Sequence, residues 1–177
     1  DLVASRIEKL PETTQQVLKL AACIGDKFTL DVLSVVNEQS LNKTANCLNK
    51  ALEAGLILPL NQNYRIPLLF DDSEEISSFE NNKIGYKFLH DRVQQAAYSL
   101  IPENQKQVTH LRIGQLLKAS TSQDKLADNI LDIVNQLNFG VELLKKDVEK
   151  RELANLNLLA GQKAKRNSAF EAALKYL

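Results

Sequence analysis

Tyr86-Lys87-Phe88-Leu89-His90-Asp91-Arg92-Val93-Gln94-Gln95-Ala96-Ala97-Tyr98 contains a change of period. Ile84 to Leu89 is a short apolar run that reads as a strand. Beyond it Val93, Ala96, Ala97, Leu100 and Ile101 recur at the i, i+3, i+4, i+7, i+8 spacing of a helix face, and Pro102 closes that helix. His90 and Asp91 fall at the junction, where a side chain can cap the new helix or stand at a fixed exit from the strand.

Upstream of this junction the order of elements is informative. Residues 2–9 form a short amphipathic stretch. Pro11 is suited to the first turn of the next helix, whose apolar face is Val17, Leu18, Ala21, Ala22 and Ile24, with Gly25 after it. Thr29 fits an N-cap, flanked by Phe28 and Leu33 as a hydrophobic staple. Ser40 caps a third helix carrying Leu41, Ala45, Leu48 and Leu52 on one stripe, and Gly55 stops it. Leu56 to Leu60 reads as a second strand. A polar connection over 61–83, with Asp71, Asp72, Glu74 and Glu75, separates it from Ile84. Three helices followed by two strands are the order of a winged helix with a two-stranded wing, here residues 1–90.

Downstream, helices are expected over roughly 103–119 and again along Leu126, Ile130, Val134 and Leu137, as linking helices within 91–146. From Asp147 a helix carrying Leu156, Leu159 and Ala160 leads to a turn at Arg166-Asn167-Ser168 and a second helix from Ala169. Small residues at Ala160 and Ala172 suit the close packing of a helical hairpin repeat over 147–177. The fold class expected is therefore mainly α: a winged helix followed by helical hairpins.

Composition restricts function. The 177 residues hold 22 basic and 22 acidic side chains and are 44% apolar, enough for a core and without the cationic field of a general nucleic-acid or membrane-surface binder. No apolar run reaches the ~20 residues of a membrane span. Two cysteines, Cys23 and Cys47, give neither a disulfide framework nor a metal quartet, which points to a reducing, cytoplasmic setting. The chain has no Met, and both ends read as helix. It is expected to be a piece of a longer protein.

No glycine pattern cradles phosphate, no H-E-x-x-H is present, and the two histidines are far apart, so neither catalytic residues nor metal ligands are assigned. Residues 1–60 hold six basic and seven acidic side chains. The helix that would enter a major groove offers Lys43 and Lys50 but no Arg, with Asn42, Asn46 and Asn49 as its only candidate readers of adenine. Nucleic acid is not expected as a partner.

The junction also carries a resemblance. Leu89-His90-Asp91, after the second wing strand and before a helix, resembles the Met-His-Asp motif of STAND-class signal-transduction ATPases, with Leu in place of Met. Those proteins place a winged helix after a P-loop nucleotide domain, and their histidine contacts the β-phosphate of ADP in the resting state. The resemblance implies that His90 is a nucleotide sensor, with Asp91 and Arg92 as orienting or ion-pairing neighbours. The stretches 10–25 and 88–98 also resemble the segment that follows the AAA-like ATPase module in large bacterial hybrid kinases. Leu156, Leu159, Ala160, Ala172 and Tyr176 match positions of a tetratricopeptide unit, whereas Lys163 stands where that motif prefers an aromatic.

These readings converge on a regulatory segment without catalysis of its own. It would couple the nucleotide state of an upstream ATPase module to downstream helical repeats of the same chain. ATP or ADP would be bound by the parent protein, itself an ATPase or protein kinase, and no cofactor by the segment. The competing readings are a protein-interaction scaffold without a switch and a DNA-binding winged helix.

Overall fold

The computed structural model describes residues 2–69, 84–166 and 176. It is mainly helical and separates into two compact units, Asp1–Pro102 and Glu103–Leu177.

In the first unit the order is α1 (Leu2–Glu8), α2 (Glu12–Ile24), β1 (Lys27–Thr29), α3 (Leu30–Asn37), α4 (Leu41–Glu53), β2 (Ile57–Pro59), β3 (Gly85–Phe88) and α5 (Asp91–Ser99). Local chemistry sets the boundaries. Pro11 is the N-cap of α2, one position earlier than its missing N–H suggests, and its carbonyl accepts from Gln15 at 3.0 Å. The Ser40 hydroxyl caps α4 by accepting from the Lys43 amide at 3.3 Å. Gly55, at φ 64°, ends α4 in a Schellman turn: its N–H bonds the Leu52 carbonyl at 2.9 Å, and that of Leu56 bonds Ala51 at 3.0 Å.

The sheet has three strands in the order β1-β3-β2, both pairings antiparallel. This corrects the two-stranded expectation. Lys27-Phe28-Thr29 is a strand, although Thr29 still has the extended geometry of an N-cap to α3 without a side-chain bond. Three residues are too few for period-2 alternation to be visible in sequence. The central strand β3 supplies Tyr86 and Phe88 to the core, where they meet Phe28. Ile7, Val17, Leu18, Ala21, Leu33, Leu48 and Ile57 complete that core, all at or below 1% exposure.

The connection expected over 61–83 begins with a 3-10 helix, Gln62–Leu69, packed on α4. The acidic positions Asp71, Asp72, Glu74 and Glu75 lie outside the described residues.

Helix α5, assigned from sequence to the linking segment, packs inside the first unit. Val93, Ala96 and Ala97 are buried on its inner face against α1 and α2. Gln94 Nε2 donates to the Ala22 carbonyl at 3.1 Å, satisfying an acceptor that the end of α2 leaves open.

The second unit contains α6 (Glu103–Ser120), α7 (Gln123–Phe139) and α8 (Asp147–Arg166), with a short 3-10 turn at Val141–Leu143. Ile113 and Leu117, Ile130, Ile133 and Val134, and Leu153, Leu156 and Ala160 form its core. Gly114 lets α6 and α7 approach closely: a Cβ there would lie 2.7 Å from the Leu137 side chain. Asn138 and Asn157 exchange amide hydrogen bonds at 2.8 and 2.9 Å between α7 and α8. Leu159, expected on a packing face, is 48% exposed, and Lys163 Nζ donates to the Ala127 and Asp128 carbonyls of α7. Ala172 and the helix expected from Ala169 lie outside the described residues, apart from Tyr176.

Candidate functional site

The junction is built by two constraints. The Leu89 amide bonds the Leu56 carbonyl at 3.0 Å and extends the β2–β3 pairing one residue past Phe88. His90 then stays extended, at φ −148° and ψ 156°, as the N-cap of α5. Its carbonyl accepts from the amides of Val93 at 2.8 Å and Gln94 at 3.4 Å, which starts the helix. The imidazole forms no capping bond, so the capping role suggested by sequence falls to the backbone alone. His90, Asp91 and Arg92 are all exposed.

The three residues line one side of an open cleft of about 510 Å³, together with Asp26, Lys27, Lys87, Phe88 and Leu89. Lys27 and Lys87 are cross-strand partners in the β1–β3 pair, and both are exposed on the outer face of the sheet. Sequence reasoning did not single them out. Each lies next to buried aromatics in its own strand, and only the pairing of β1 with β3 unites them.

Chemically the cleft offers Lys27, Lys87 and Arg92 as fixed cations, His90 as a titratable imidazole, and Asp26 and Asp91 as carboxylates. Such a set can hold an anion by charge-assisted hydrogen bonds. Among the described residues no group of three or more His, Cys, Asp or Glu side chains could hold a metal ion. Cys23 carries a buried thiol and Cys47 a half-buried one. No helix among the described residues is long and apolar enough to cross a membrane.

The chain is 30% identical, over 209 aligned positions covering 99% of its length, to hybrid signal transduction histidine kinase G of Dictyostelium discoideum. It spans 6% of that protein. No protein-family model matches the chain. No solved structure matches it either. The chain is thus similar, nearly end to end, to one segment of a signalling kinase, here from Dictyostelium, whereas the motif resemblance pointed to bacterial hybrid kinases.

Proposed function

We propose that this chain is a non-catalytic regulatory segment of a multidomain signalling ATPase or kinase. Residues 1–90 form a winged helix, and α8 opens a tetratricopeptide-like hairpin. The segment couples the nucleotide state of an upstream P-loop ATPase module to downstream repeats of the same chain, in the cytoplasm. The parent binds ATP and ADP. The succession α2-β1-α3-α4-β2-β3, with β3 in the centre of the sheet, supports the winged-helix reading. The similarity to a hybrid histidine kinase supports the signalling context.

One observation carries the sensor role. The His90 imidazole is exposed at the end of β3, without a capping bond, on the wall of a cleft that also holds three cations. A phosphate presented there by a neighbouring module would favour one docked state over another. Coupling of this kind typically amounts to about 1–3 kcal/mol.

The DNA-binding alternative is less well supported. Asn42 is 4% exposed, Asn49 Nδ2 donates to Glu53 at 2.9 Å, and Lys50 pairs with the same carboxylate at 2.9 Å. The outer face of α4 therefore has few groups left for bases or phosphates.

The test is His90→Ala in the full-length protein, with ADP retention and basal output as readouts. A several-fold faster ADP loss or a raised basal output is expected. Wild-type values for both would end the sensor assignment.

A further inference from the structure

Lys27 and Lys87 are placed against their local electrostatics. The Phe88 amide bonds the Asp26 carbonyl at 3.0 Å, and the Leu30 amide bonds the Ile84 carbonyl at 2.8 Å. These bonds fall four residues apart along the ladder, so by the antiparallel alternation Phe28 and Tyr86 are the hydrogen-bonded pair between them, and Lys27 and Lys87 form a non-hydrogen-bonded pair. In such pairs the Cα atoms approach to about 4.5 Å and the side chains are closest. Like charges at that position repel. Among the described residues neither lysine is within ion-pair reach of a carboxylate, whereas Lys50, Lys106 and Lys118 each are.

Arg92 adds a second exception. It is the second residue of α5, at the helix end that favours negative charge. It lines the same cleft as the two lysines. Asp91 suits that helix end but does not pair with Arg92, and Asp26 does not pair with Lys27. Three cations therefore share one open cleft, none of them in an ion pair with a carboxylate among the described residues.

We propose that Lys27 and Lys87, together with Arg92, form a binding site for the diphosphate group of a small molecule. The two ammonium groups would share its oxygens from the sheet, and the guanidinium would close the site from α5. A multiply charged phosphate group removes the cross-strand repulsion and can accept from all three donors at once. The inference deepens the functional reading above and rests on it only for who presents the phosphate. It names the residues that would hold the group beside His90.

The chain itself, titrated with sodium diphosphate at constant ionic strength and followed by heteronuclear NMR, tests this. Saturable shifts are expected at the amides of Lys27, Lys87 and Arg92, with a dissociation constant on the order of 1 mM. The Lys27→Gln/Lys87→Gln double variant should weaken binding about tenfold. Its circular dichroism should match the wild type and its melting temperature should be no lower, because both side chains are exposed and the substitutions remove the cross-strand repulsion. Shifts no larger than those from chloride at equal ionic strength would overturn the site, as would wild-type affinity in the double variant. Binding of a glutamate-rich peptide without binding of diphosphate would overturn it too, by showing the cleft to be a docking surface for acidic chains. Failure here leaves the His90 readout in the full-length protein standing, and the reverse holds.

Discussion

Phe28 and Tyr86 are cross-strand partners in the β1–β3 pair, and their rings stack with centroids 5.8 Å apart and planes 20° from parallel. Phe88 meets Phe28 from the same strand at 5.6 Å, tilted by 57°. These rings fix the register between a segment near the start of the chain and one far along it. A slip of one residue would turn Phe28 to solvent and Lys27 into the core. The same register brings Lys27 to Lys87 and places His90 at the foot of the sheet, so the aromatic cluster beneath the sheet sets the geometry of the cleft above it.

Phe28→Ala should therefore be among the most costly substitutions in the first unit. Phe28 is 4% exposed and touches both β3 aromatics. Truncating such a ring removes transfer free energy and leaves a cavity, a loss of about 3–5 kcal/mol. Urea denaturation followed by circular dichroism measures it. A loss below about 1 kcal/mol would mean that the ring contributes no more than an average position.

Tyr86 gives a prediction at alkaline pH. It is 1% exposed, and burial, with a smaller contribution from Tyr64, pushes its phenol up to about 12. In the unfolded chain the same phenol ionises near pH 10. The folded state therefore holds the proton more tightly, and its stabilisation is complete below about pH 10 and is lost as pH rises towards 12. Phenolate absorbance should show Tyr86 titrating late among the four tyrosines. Tyr86→Phe should remove this part of the alkaline stability loss.

Much of the helical framework is legible in sequence because its signals are local. Ser40 caps α4 through its own hydroxyl, Gly55 ends it, and the Val93, Ala96, Ala97 stripe defines the buried face of α5. What escapes is non-local. Lys27-Phe28-Thr29 becomes a strand only because β3 pairs with it, and the Lys27–Lys87 pair is invisible until that pairing exists. The packing of α5 within the first unit is non-local in the same way. Its apolar stripe indicates that it packs, but not that Gln94 reaches back to Ala22. At the candidate site, the exposed junction of His90, Asp91 and Arg92 could be read along the chain, and its lysines could not.

Two glycines separate backbone strain from steric packing. At Gly55 an added Cβ would meet nothing within 4 Å, but φ is +64°. Gly55→Ala should thus cost about 1–2 kcal/mol from the left-handed conformation alone. At Gly114 the backbone is ordinary helix, and the Cβ would lie 2.7 Å from the Leu137 side chain and 3.0 Å from its backbone nitrogen. Gly114→Ala gains about 1 kcal/mol of helix propensity and loses about 1–3 kcal/mol to overpacking. Leu137→Ala in the same chain should recover part of the steric loss for Gly114→Ala and none for Gly55→Ala. A double-mutant cycle by chemical denaturation reads this coupling.

His110 gives the acid-side prediction. It is 7% exposed in the second unit, its Nδ1 lies 2.7 Å from Gln136 Oε1, and its ring packs on Phe139 with centroids 4.1 Å apart. An amide oxygen only accepts, so Nδ1 carries the proton and donates. Burial lowers the imidazole pKa from its ordinary value. The Gln136 hydrogen bond opposes that shift, and the Lys106 charge adds to it. The unfolded chain therefore binds the proton more readily, starting near pH 6.5. The stability contributed by neutral His110 is complete above that value and is lost as pH falls through the folded-state pKa. Denaturation midpoints measured from about pH 7 to 5, above the range where most carboxylates titrate, should fall towards the acid end. His110→Gln should flatten that slope. A slope that survives His110→Gln would assign the acid sensitivity to another group.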